Sequence, residues 1–397
     1  MLQLPTELFA EIFHSTLPST DLMLDQVDTR LRSYMRKLYG MRLVAKRWQE
    51  IIDGTPTFWT FVHSDLPPDV NEATALRSQN GLLAIVYALT EYRTPHISAK
   101  DFFNSWAHIF PRWSAYRGPL LSEYLDKPAP QIEKIILTRG ESGDEPLELL
   151  GGSATSLRLV NLSHVSIRWK AGLFTNLNVL KLVDVNHNPQ ELTTTLFLDI
   201  LLASPCLEHL ELARMGATAD TASSYPIITL PHLRIIRFYY CSYTLMGGIL
   251  RQIRASSCTE FWLNIDVDEP VIGQLINEDL RPFHALFRAI HKHNGSSEII
   301  LDGDGFQWKS SAEEGPKDHP SFSVFTFCDL PITCIRWVER TLQSDPGLSI
   351  RFSFNADVSQ DVLESMASMR CVTRVTIGDI SGKDEFLSVL RFIGSPL

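Results

Sequence analysis

The residues best suited to metal or acid chemistry fall in short local clusters. His291 and His293 lie two positions apart, but no cysteine or carboxylate stands near them at metal-site intervals. We therefore interpret them as the end of a surface helix. The acidic run 141–145 consists of adjacent residues, whereas a hydrolase that uses two carboxylates needs them facing each other across a cleft. We expect this run to be a solvated loop.

A third cluster resembles the beginning of a calcium-binding loop. It reads Asp302-Gly303-Asp304-Gly305, and Glu313 stands at the twelfth position of such a loop. Phe306 replaces the fifth-position ligand, and Gln307 replaces the glycine that the tight turn requires at position six. The sequence therefore predicts a turn rich in Asp and Gly without a bound metal.

Motifs for catalysis and cofactor binding are missing from the sequence. Neither of the glycine-rich phosphate loops, GxxxxGK[ST] and GxGxxG, occurs, and there is no GxSxG nucleophile turn. We expect a protein that is not an enzyme, with no catalytic residue, no cofactor and no metal. An enzyme built on a repeat scaffold stays open as a hypothesis, because a triad assembled from distant positions leaves no trace in one sequence.

Composition and charge indicate a folded chain with an uneven surface. The 397 residues are 44% hydrophobic and 21% charged, and the formal net charge is -10. Seven basic and two acidic residues give the segment 28–50 a net charge of +5, so the rest carries -15. This asymmetry favours an acidic protein partner for that segment, although a solvated helix face would give the same pattern. The net charge of -10 argues against a protein that binds nucleic acid with its whole surface.

The sequence also bears on the compartment. The longest candidate membrane run, 82–89, is far shorter than the roughly 18 to 20 residues that a bilayer requires, and the first residues lack a signal-peptide pattern. We expect no membrane partner and a cytoplasmic or nuclear location. No CxxC pair occurs, so we interpret the six cysteines as reduced core residues: Cys206, Cys241, Cys258, Cys328, Cys334 and Cys371.

Two helices are predicted near the N-terminus. The first follows Pro5 and carries the i,i+4 apolar pairs Leu8/Ile12 and Phe9/Phe13. The second places Val44, Trp48, Ile51 and Ile52 on one face and is ended by Gly54 and Pro56, just before Phe58-Trp59. Between them lies the polar stretch Pro18 to Thr29.

These residues resemble the F-box-like domain of the large fungal, mushroom-type F-box family, over about residues 2 to 62. Three anchors carry the resemblance: the opening Leu4-Pro5, the Val44-to-Trp48 helix and the closing Thr55-Pro56-Thr57-Phe58-Trp59. The stretch Pro18 to Tyr39 departs from the compact F-box as an insertion between its first two helices.

The resemblance implies that this module docks on a Skp-type adaptor, which links it to a cullin-RING ubiquitin ligase. The residues it assigns to the adaptor contact are Leu4, Pro5, Leu8, Ile12, Leu43, Val44, Trp48 and Trp59. Trp48 could equally be a core residue, whereas Leu4 and Pro5 lie at the chain end, where fewer side chains are needed to form the core. Because the insertion would alter helix packing, a protein-interaction scaffold that has lost adaptor binding is the alternative function.

The rest of the chain repeats a six-residue frame, apolar-x-x-apolar-x-apolar. Its first six copies begin 20 to 30 residues apart, which is typical of leucine-rich repeats, and helical patterns stand between them at 196–202 and 245–253. The copies begin at Ile132, Leu157, Leu177, Leu207, Leu233, Cys258 and Val372. Upstream, Arg77-Ser78 and Arg112-Trp113 resemble the degenerate first repeats of the same family.

The predicted architecture is therefore α/β: a helical module at 1–63, a linker at 64–75 and a solenoid of parallel strands and helices at 76–397. We expect the polar stretch Gly303 to Pro320 to loop out of it. Within each frame the third and fifth positions should form the concave face that binds a target protein. These are Lys134, Ile136, Asn161, Lys181, His209, Glu211, Arg237, Glu260, Trp262, Arg374 and Thr376. Lys181, Arg237 and Trp262 are the predicted target contacts, unless a one-residue slip near Cys258 buries Trp262.

Overall fold

A computed structural model describes most of the N-terminal two thirds of the chain and five strands beyond it. The described residues are 5–17, 27–88, 97–138, 146–152, 155–170, 172–185, 192–216, 225–265, 296–302, 305–310, 321–326, 349–354 and 372–377, and for 27–32 and from 265 onward the description covers the backbone. The chain divides into two compact units, Met1–Thr175 and Asn176–Leu397. The boundaries predicted at 63 and 76 stay predictions.

Three helices open the first unit. They are α1 (Thr6–Thr16), α2 (Val27–Arg42) and α3 (Lys46–Gly54), and a 3₁₀ turn at Pro56–Phe58 follows. The first helix and the end of α3 at Gly54 confirm the sequence-based expectation. Val44 was predicted to belong to the second helix, but it lies in the turn before α3. Helix α2 was not expected, because its mean composition is polar.

Five parallel strands follow in chain order: β1 (Phe61–His63), β2 (Leu83–Val86), β3 (Trp113–Gly118), β4 (Lys134–Thr138) and β5 (Leu159–Ser163). Helices α4 (Pro68–Arg77), α5 (Ala99–Trp106) and α6 (Ser122–Leu125) connect them. The side chain of Ser98 caps α5 by accepting a hydrogen bond from the Asp101 amide. Alternation of strand and helix therefore begins directly after the helical module.

The two motifs assigned to degenerate first repeats contact each other. The Arg112 guanidinium donates hydrogen bonds to the Gly81 carbonyl, at 2.9 and 3.0 Å, and to Ser78 Oγ at 2.6 Å. Ser78 and Trp113, which stand beside the arginines of these motifs, are fully buried. Arg112 thus joins the end of α4 to the start of β3.

The first strands are buried on both faces. Ile85, Tyr116 and Ile135 are buried on one face, and of these the frame predicted Ile135. The alternating positions Ala84, Val86, Ala115 and Ile136 join the core formed by Tyr34, Met35 and Leu38 of α2. Ile136 was predicted to lie on an open target-binding face, and this prediction is wrong, because α2 covers the face at β4.

The second unit begins with four consecutive repeats. Strands β6 (Val179–Val183), β7 (His209–Ala213), β9 (Ile235–Tyr239) and β11 (Glu260–Ile265) are parallel and in register. Helices α7 (Thr194–Leu202) and α8 (Tyr243–Gln252) stand between them, and β8 (Ile228–Thr229) pairs with β10 (Ile253–Arg254) in a separate two-stranded sheet. Every apolar frame position from Leu177 to Leu263 is at most 4% exposed, which confirms the repeat frame.

Beyond β11 the order of strands changes. The sheet continues in the order β14 (Ser321–Thr326), β13 (Gly305–Ser310), β12 (Ser296–Asp302), β15 (Ser349–Phe354) and β16 (Val372–Ile377). All described pairs in it are parallel except those of β13, which is antiparallel to both neighbours. Residues 305–310 were expected in a loop, and instead they form β13. Asp302 pairs with Gly305, so the residues 305–310 that a twelve-residue calcium loop would include belong to a strand.

The strands β6, β7 and β9 are each followed by the same backbone turn, which the sequence did not indicate. The first residue past β6, β7 and β9, at Asp184, Arg214 and Tyr240, has a φ between 50° and 53°. The amide of each donates a hydrogen bond of 2.6 to 2.8 Å to the next strand: Asp184 to the Ala213 carbonyl, Arg214 to Tyr239 and Tyr240 to Asn264. The left-handed turn therefore extends the sheet ladder by one bond per repeat.

Candidate protein-interaction surfaces

Helix α1 carries two apolar stripes, and only one of them faces the core. Phe9 and Phe13 point inward, where the Phe13 ring lies 4.9 Å from the Trp48 ring. Leu8 and Ile12 lie on the outer side and keep 43% and 47% of their surface exposed. An exposed apolar stripe on a helix whose other stripe is already packed is typical of a contact surface.

Two further exposed apolar side chains belong to the turn between α2 and α3. Leu43 is 87% exposed and Val44 is 63% exposed. The amides of both residues close this turn by bonding to the carbonyls of Gly40 and Met41. The backbone is therefore fixed while the side chains extend into solvent.

Of the eight residues assigned to the adaptor contact, five are exposed in the structure: Pro5, Leu8, Ile12, Leu43 and Val44. Trp48 is half-buried against Phe13, as its alternative interpretation expected. Leu4 lies outside the described residues. Arg36, Lys37 and Lys46 of the basic segment are exposed as well.

Trp59 is the exception, because it lies in the core with no exposed surface. Its indole N–H donates a 2.8 Å hydrogen bond to the Ile52 carbonyl. The guanidinium groups of Arg42 and Arg77 lie 5.7 and 4.6 Å from its ring, and both pair with Asp53. We therefore correct its assignment: Trp59 joins α2, α3 and α4 and does not itself reach a partner.

A second surface lies on the sheet of the second unit. In register across β6, β7, β9 and β11, Lys181 stands beside Glu211, Glu211 beside Arg237, and Arg237 beside Trp262. These side chains point away from the buried frame positions, because neighbouring residues of a strand face opposite sides. The predicted target contacts Lys181, Arg237 and Trp262 thus share one row. We call this row, with its neighbours His209, Tyr239 and Glu260, the polar face.

Ion pairs hold the polar face in a fixed arrangement. The Nε and Nη2 atoms of Arg237 each lie 2.7 Å from Oε1 of Glu260, and its Nη1 lies 3.5 Å from Oε2 of Glu211. That same Glu211 oxygen accepts a hydrogen bond from His209 Nε2 at 3.1 Å. The guanidinium is therefore held between two carboxylates from neighbouring strands.

The network shifts the protonation equilibria of its members. Burial alone raises the pKa of Glu211, but the hydrogen bond from His209 and the positive charges of Lys181 and Arg237 outweigh burial and leave its pKa below the usual value. Burial lowers the pKa of Arg237, and the hydrogen bond and charge of Glu260 more than compensate, so that its pKa is raised. Both groups are therefore held in their charged forms.

An aromatic pair stands at one end of the polar face. The rings of Tyr239 and Trp262, on adjacent strands, have their centroids 6.3 Å apart. Trp262 is partly exposed whereas Phe261 and Leu263 are buried, so the one-residue slip considered from the sequence does not occur. Tyr239 was not singled out from the sequence, although it stands two positions after Arg237 and alternation alone would place it on this face.

Lowering the pH should test the Glu211 network. Because the folded-state pKa of Glu211 is lowered, its contribution to stability is complete above about pH 5 and is lost as pH falls through the folded pKa. We expect Glu211→Gln to reduce the loss of thermal stability between pH 5 and pH 3, by about 1 kcal/mol or less. Melting curves of wild type, Glu211→Gln and the exposed control Glu208→Gln measure this. An unchanged pH dependence in Glu211→Gln would contradict the network.

The remaining candidate groups have structural explanations. Cys241 and Cys258 are buried, and burial raises the pKa of each thiol to about 12, as expected of inert core cysteines. Cys206 is exposed, contrary to the expectation for it. His291 and His293 and the acidic run 141–145 lie outside the described residues. Within the described ranges no three His, Cys, Asp or Glu side chains group as metal ligands, and no helix has the length and apolar character to span a bilayer.

Comparison with known proteins adds no further constraint. No family model matches the chain, and no curated protein or solved structure is significantly similar to it.

Proposed function

We propose that this protein is a substrate-receptor subunit of a Skp-cullin-F-box type ubiquitin ligase. In this proposal the helices α1 to α3 bind a Skp-type adaptor, and the polar face of the second unit recruits a target protein. The receptor supplies no catalytic residue. It raises the concentration of the target near a ubiquitin-charged enzyme, which is sufficient for transfer by proximity.

The observation that carries the proposal is the exposed apolar surface of the helical module. Leu8, Ile12, Leu43 and Val44 are four of the nine large apolar side chains that are exposed in the described chain, although the module (residues 1–63) supplies only about a sixth of the sequence. Arg36, Lys37 and Lys46 add positive charge to the same module, and this favours an acidic adaptor.

The inserted segment supports adaptor docking more than it opposes it. Most of the described insertion is α2, whose Tyr34, Met35 and Leu38 are buried against Ala84, Val86 and Ala115 of the strands. Because α2 is committed to the core, the outer stripe of α1 keeps its exposure. A scaffold without adaptor binding remains the competing function, and the following experiment separates the two.

Affinity purification of the full-length protein from fungal cells, followed by mass spectrometry, tests the proposal. We expect a Skp-type adaptor and a cullin among the captured proteins, and we expect Leu43→Asp/Val44→Asp to reduce their recovery at least tenfold. The matched control is Leu76→Asp, which alters an equally exposed leucine on α4. Recovery of other proteins without adaptor or cullin would favour the scaffold.

A further inference from the structure

The polar face has unused hydrogen-bonding capacity on its two carboxylates. Arg237 donates a hydrogen bond from Nε to Oε1 of Glu260, and its Nη2 lies 2.7 Å from the same oxygen. The hydrogen bond of His209 and the ion pair of Arg237 both involve Oε2 of Glu211. Among the described residues, Oε2 of Glu260 and Oε1 of Glu211 therefore have no hydrogen-bond partner. Both side chains are partly exposed, at 28% and 19%, so a ligand in solvent can approach these oxygens.

The cationic side chains of the polar face, unlike its carboxylates, have their charges directed at partners within the face. Arg237 places three nitrogens on Glu211 and Glu260, and the charge of Lys181 acts on Glu211. An incoming carboxylate or phosphate would have to displace these bonds and would approach two carboxylates that are already ionised. An incoming cation would use Oε2 of Glu260 and Oε1 of Glu211, to which no described residue donates a hydrogen bond. The local chemistry therefore favours a positively charged ligand.

The aromatic pair next to these carboxylates has the same preference. Tyr239 and Trp262 present partly exposed ring surface beside Glu260, which stands two positions before Trp262 on β11. Aromatic faces attract ammonium and guanidinium groups, and tryptophan does so most strongly. The buried Trp59 of the first unit, with Arg42 and Arg77 near its ring, shows that this chain uses the same contact internally.

The negative charge of the whole second unit also favours a positively charged ligand. Residues 176–397 contain 18 Lys and Arg against 27 Asp and Glu, a formal charge of -9 out of the -10 of the chain. A surface inside such a field attracts basic segments and repels acidic ones.

We propose that the polar face binds an arginine- or lysine-containing segment of the target protein, whose cationic side chain stacks on Trp262 and Tyr239 and donates to Oε2 of Glu260 and Oε1 of Glu211. This inference rests on the proposed recruitment of a target by the repeat strands and defines the chemical class of that target. An acidic segment, drawn to Lys181 and Arg237, is the competing occupant.

Binding of three labelled peptides to the full-length protein tests the inference. The probes are twelve-residue Gly-Ser peptides that carry three arginines, three glutamates or three glutamines, measured by fluorescence anisotropy at 100 mM salt. We expect the arginine peptide to bind at least tenfold more tightly than the other two. Equal or tighter binding of the glutamate peptide, or no binding of the arginine peptide up to 1 mM, would overturn the proposal.

Variants then distinguish the polar face from general attraction to an acidic protein. Glu211→Gln/Glu260→Gln and Trp262→Ala should each weaken arginine-peptide binding at least tenfold. The control Glu208→Gln, which removes an exposed charge next to β7, and Tyr243→Ala, which removes a ring on α8, should change it less than twofold. Equal effects of all four variants would show that the attraction is unspecific and would overturn the proposal.

Adaptor binding of the same preparations separates this inference from the proposed function. Variants that lose the peptide and keep the adaptor support the polar face as the target site. A wild-type protein that binds adaptor but no arginine peptide overturns only the inference, whereas one that binds the peptide but no adaptor overturns the ligase function and leaves the inference standing. Circular-dichroism melts identify any variant that has lost its fold. If Trp262→Ala has done so, Trp262→Leu, which fills much of the space but has no aromatic face, replaces it.

Discussion

Trp59→Ala should lower the free energy of unfolding by about 3 to 5 kcal/mol, the range for removing a fully buried large aromatic side chain. The substitution leaves a cavity, removes the N–H bond to the Ile52 carbonyl and takes away the ring near which Arg42 and Arg77 lie. Because a domain is typically stable by only about 5 to 15 kcal/mol, a large part of the stability would be lost. Urea unfolding followed by circular dichroism measures the effect.

The conservative variant Trp59→Phe gives the matched control for this prediction. It keeps an aromatic ring in the core but removes the indole donor, so the Ile52 carbonyl loses its 2.8 Å partner. We expect it to cost about 1 to 3 kcal/mol, less than the alanine variant. A Trp59→Ala protein that unfolds at the wild-type urea concentration would contradict the core assignment and would return Trp59 to the list of candidate partner contacts.

Residues with a regular spacing were the most predictable part of the fold. The frame from Leu177 to Leu263 specified which side chains are buried, because a strand that packs on helices must place alternate residues inside. The same alternation located Lys181, Arg237 and Trp262 on one face before their register was known. Residue spacing therefore predicted both the fold class and the polar face.

The helix α2 could not be predicted by the same reasoning. Its segment is largely polar. The burial of the apolar residues Tyr34, Met35 and Leu38 can be inferred only once it is known that they cover one face of β2 to β4. The burial of Ile136 follows from the same tertiary contact. A sequence pattern describes one element at a time, and this contact joins residues about 100 positions apart.

The left-handed turns after β6, β7 and β9 have no signal in residue type. Arginine and tyrosine rarely adopt the positive φ that Arg214 and Tyr240 have here, and of the three residues only Asp184 belongs to a type that tolerates it. The bonds from these amides to the carbonyls of Tyr239, Asn264 and Ala213 depend on the neighbouring strand. The sequence also does not predict the order of strands beyond β11. The hairpin of β12 and β13 could join the sheet through either of its two strands, and the sequence does not indicate which one lies nearer to β11.

Placing charge on the outer stripe of α1 should abolish adaptor binding without unfolding the protein. Leu8 and Ile12 are about half exposed, so Leu8→Glu/Ile12→Glu leaves the core of Phe9 and Phe13 in place. Two apolar contact residues of about 1.5 to 2 kcal/mol each correspond to a loss of at least a hundredfold in affinity. Deleting residues 1–68 would be a poorer test, because it would also uncover Ala84, Val86, Ala115 and Ile136.

Titration of a purified Skp-type adaptor into the full-length protein, by isothermal calorimetry, is the most direct test of the proposed function. We expect wild type and the equally exposed control Leu202→Glu/Ile227→Glu to bind with the same affinity, and Leu8→Glu/Ile12→Glu to bind at least a hundredfold more weakly with an unchanged melting curve. No binding by wild type at adaptor concentrations of about 100 μM, or equal binding by both double variants, would contradict the assignment of the helical module to an adaptor.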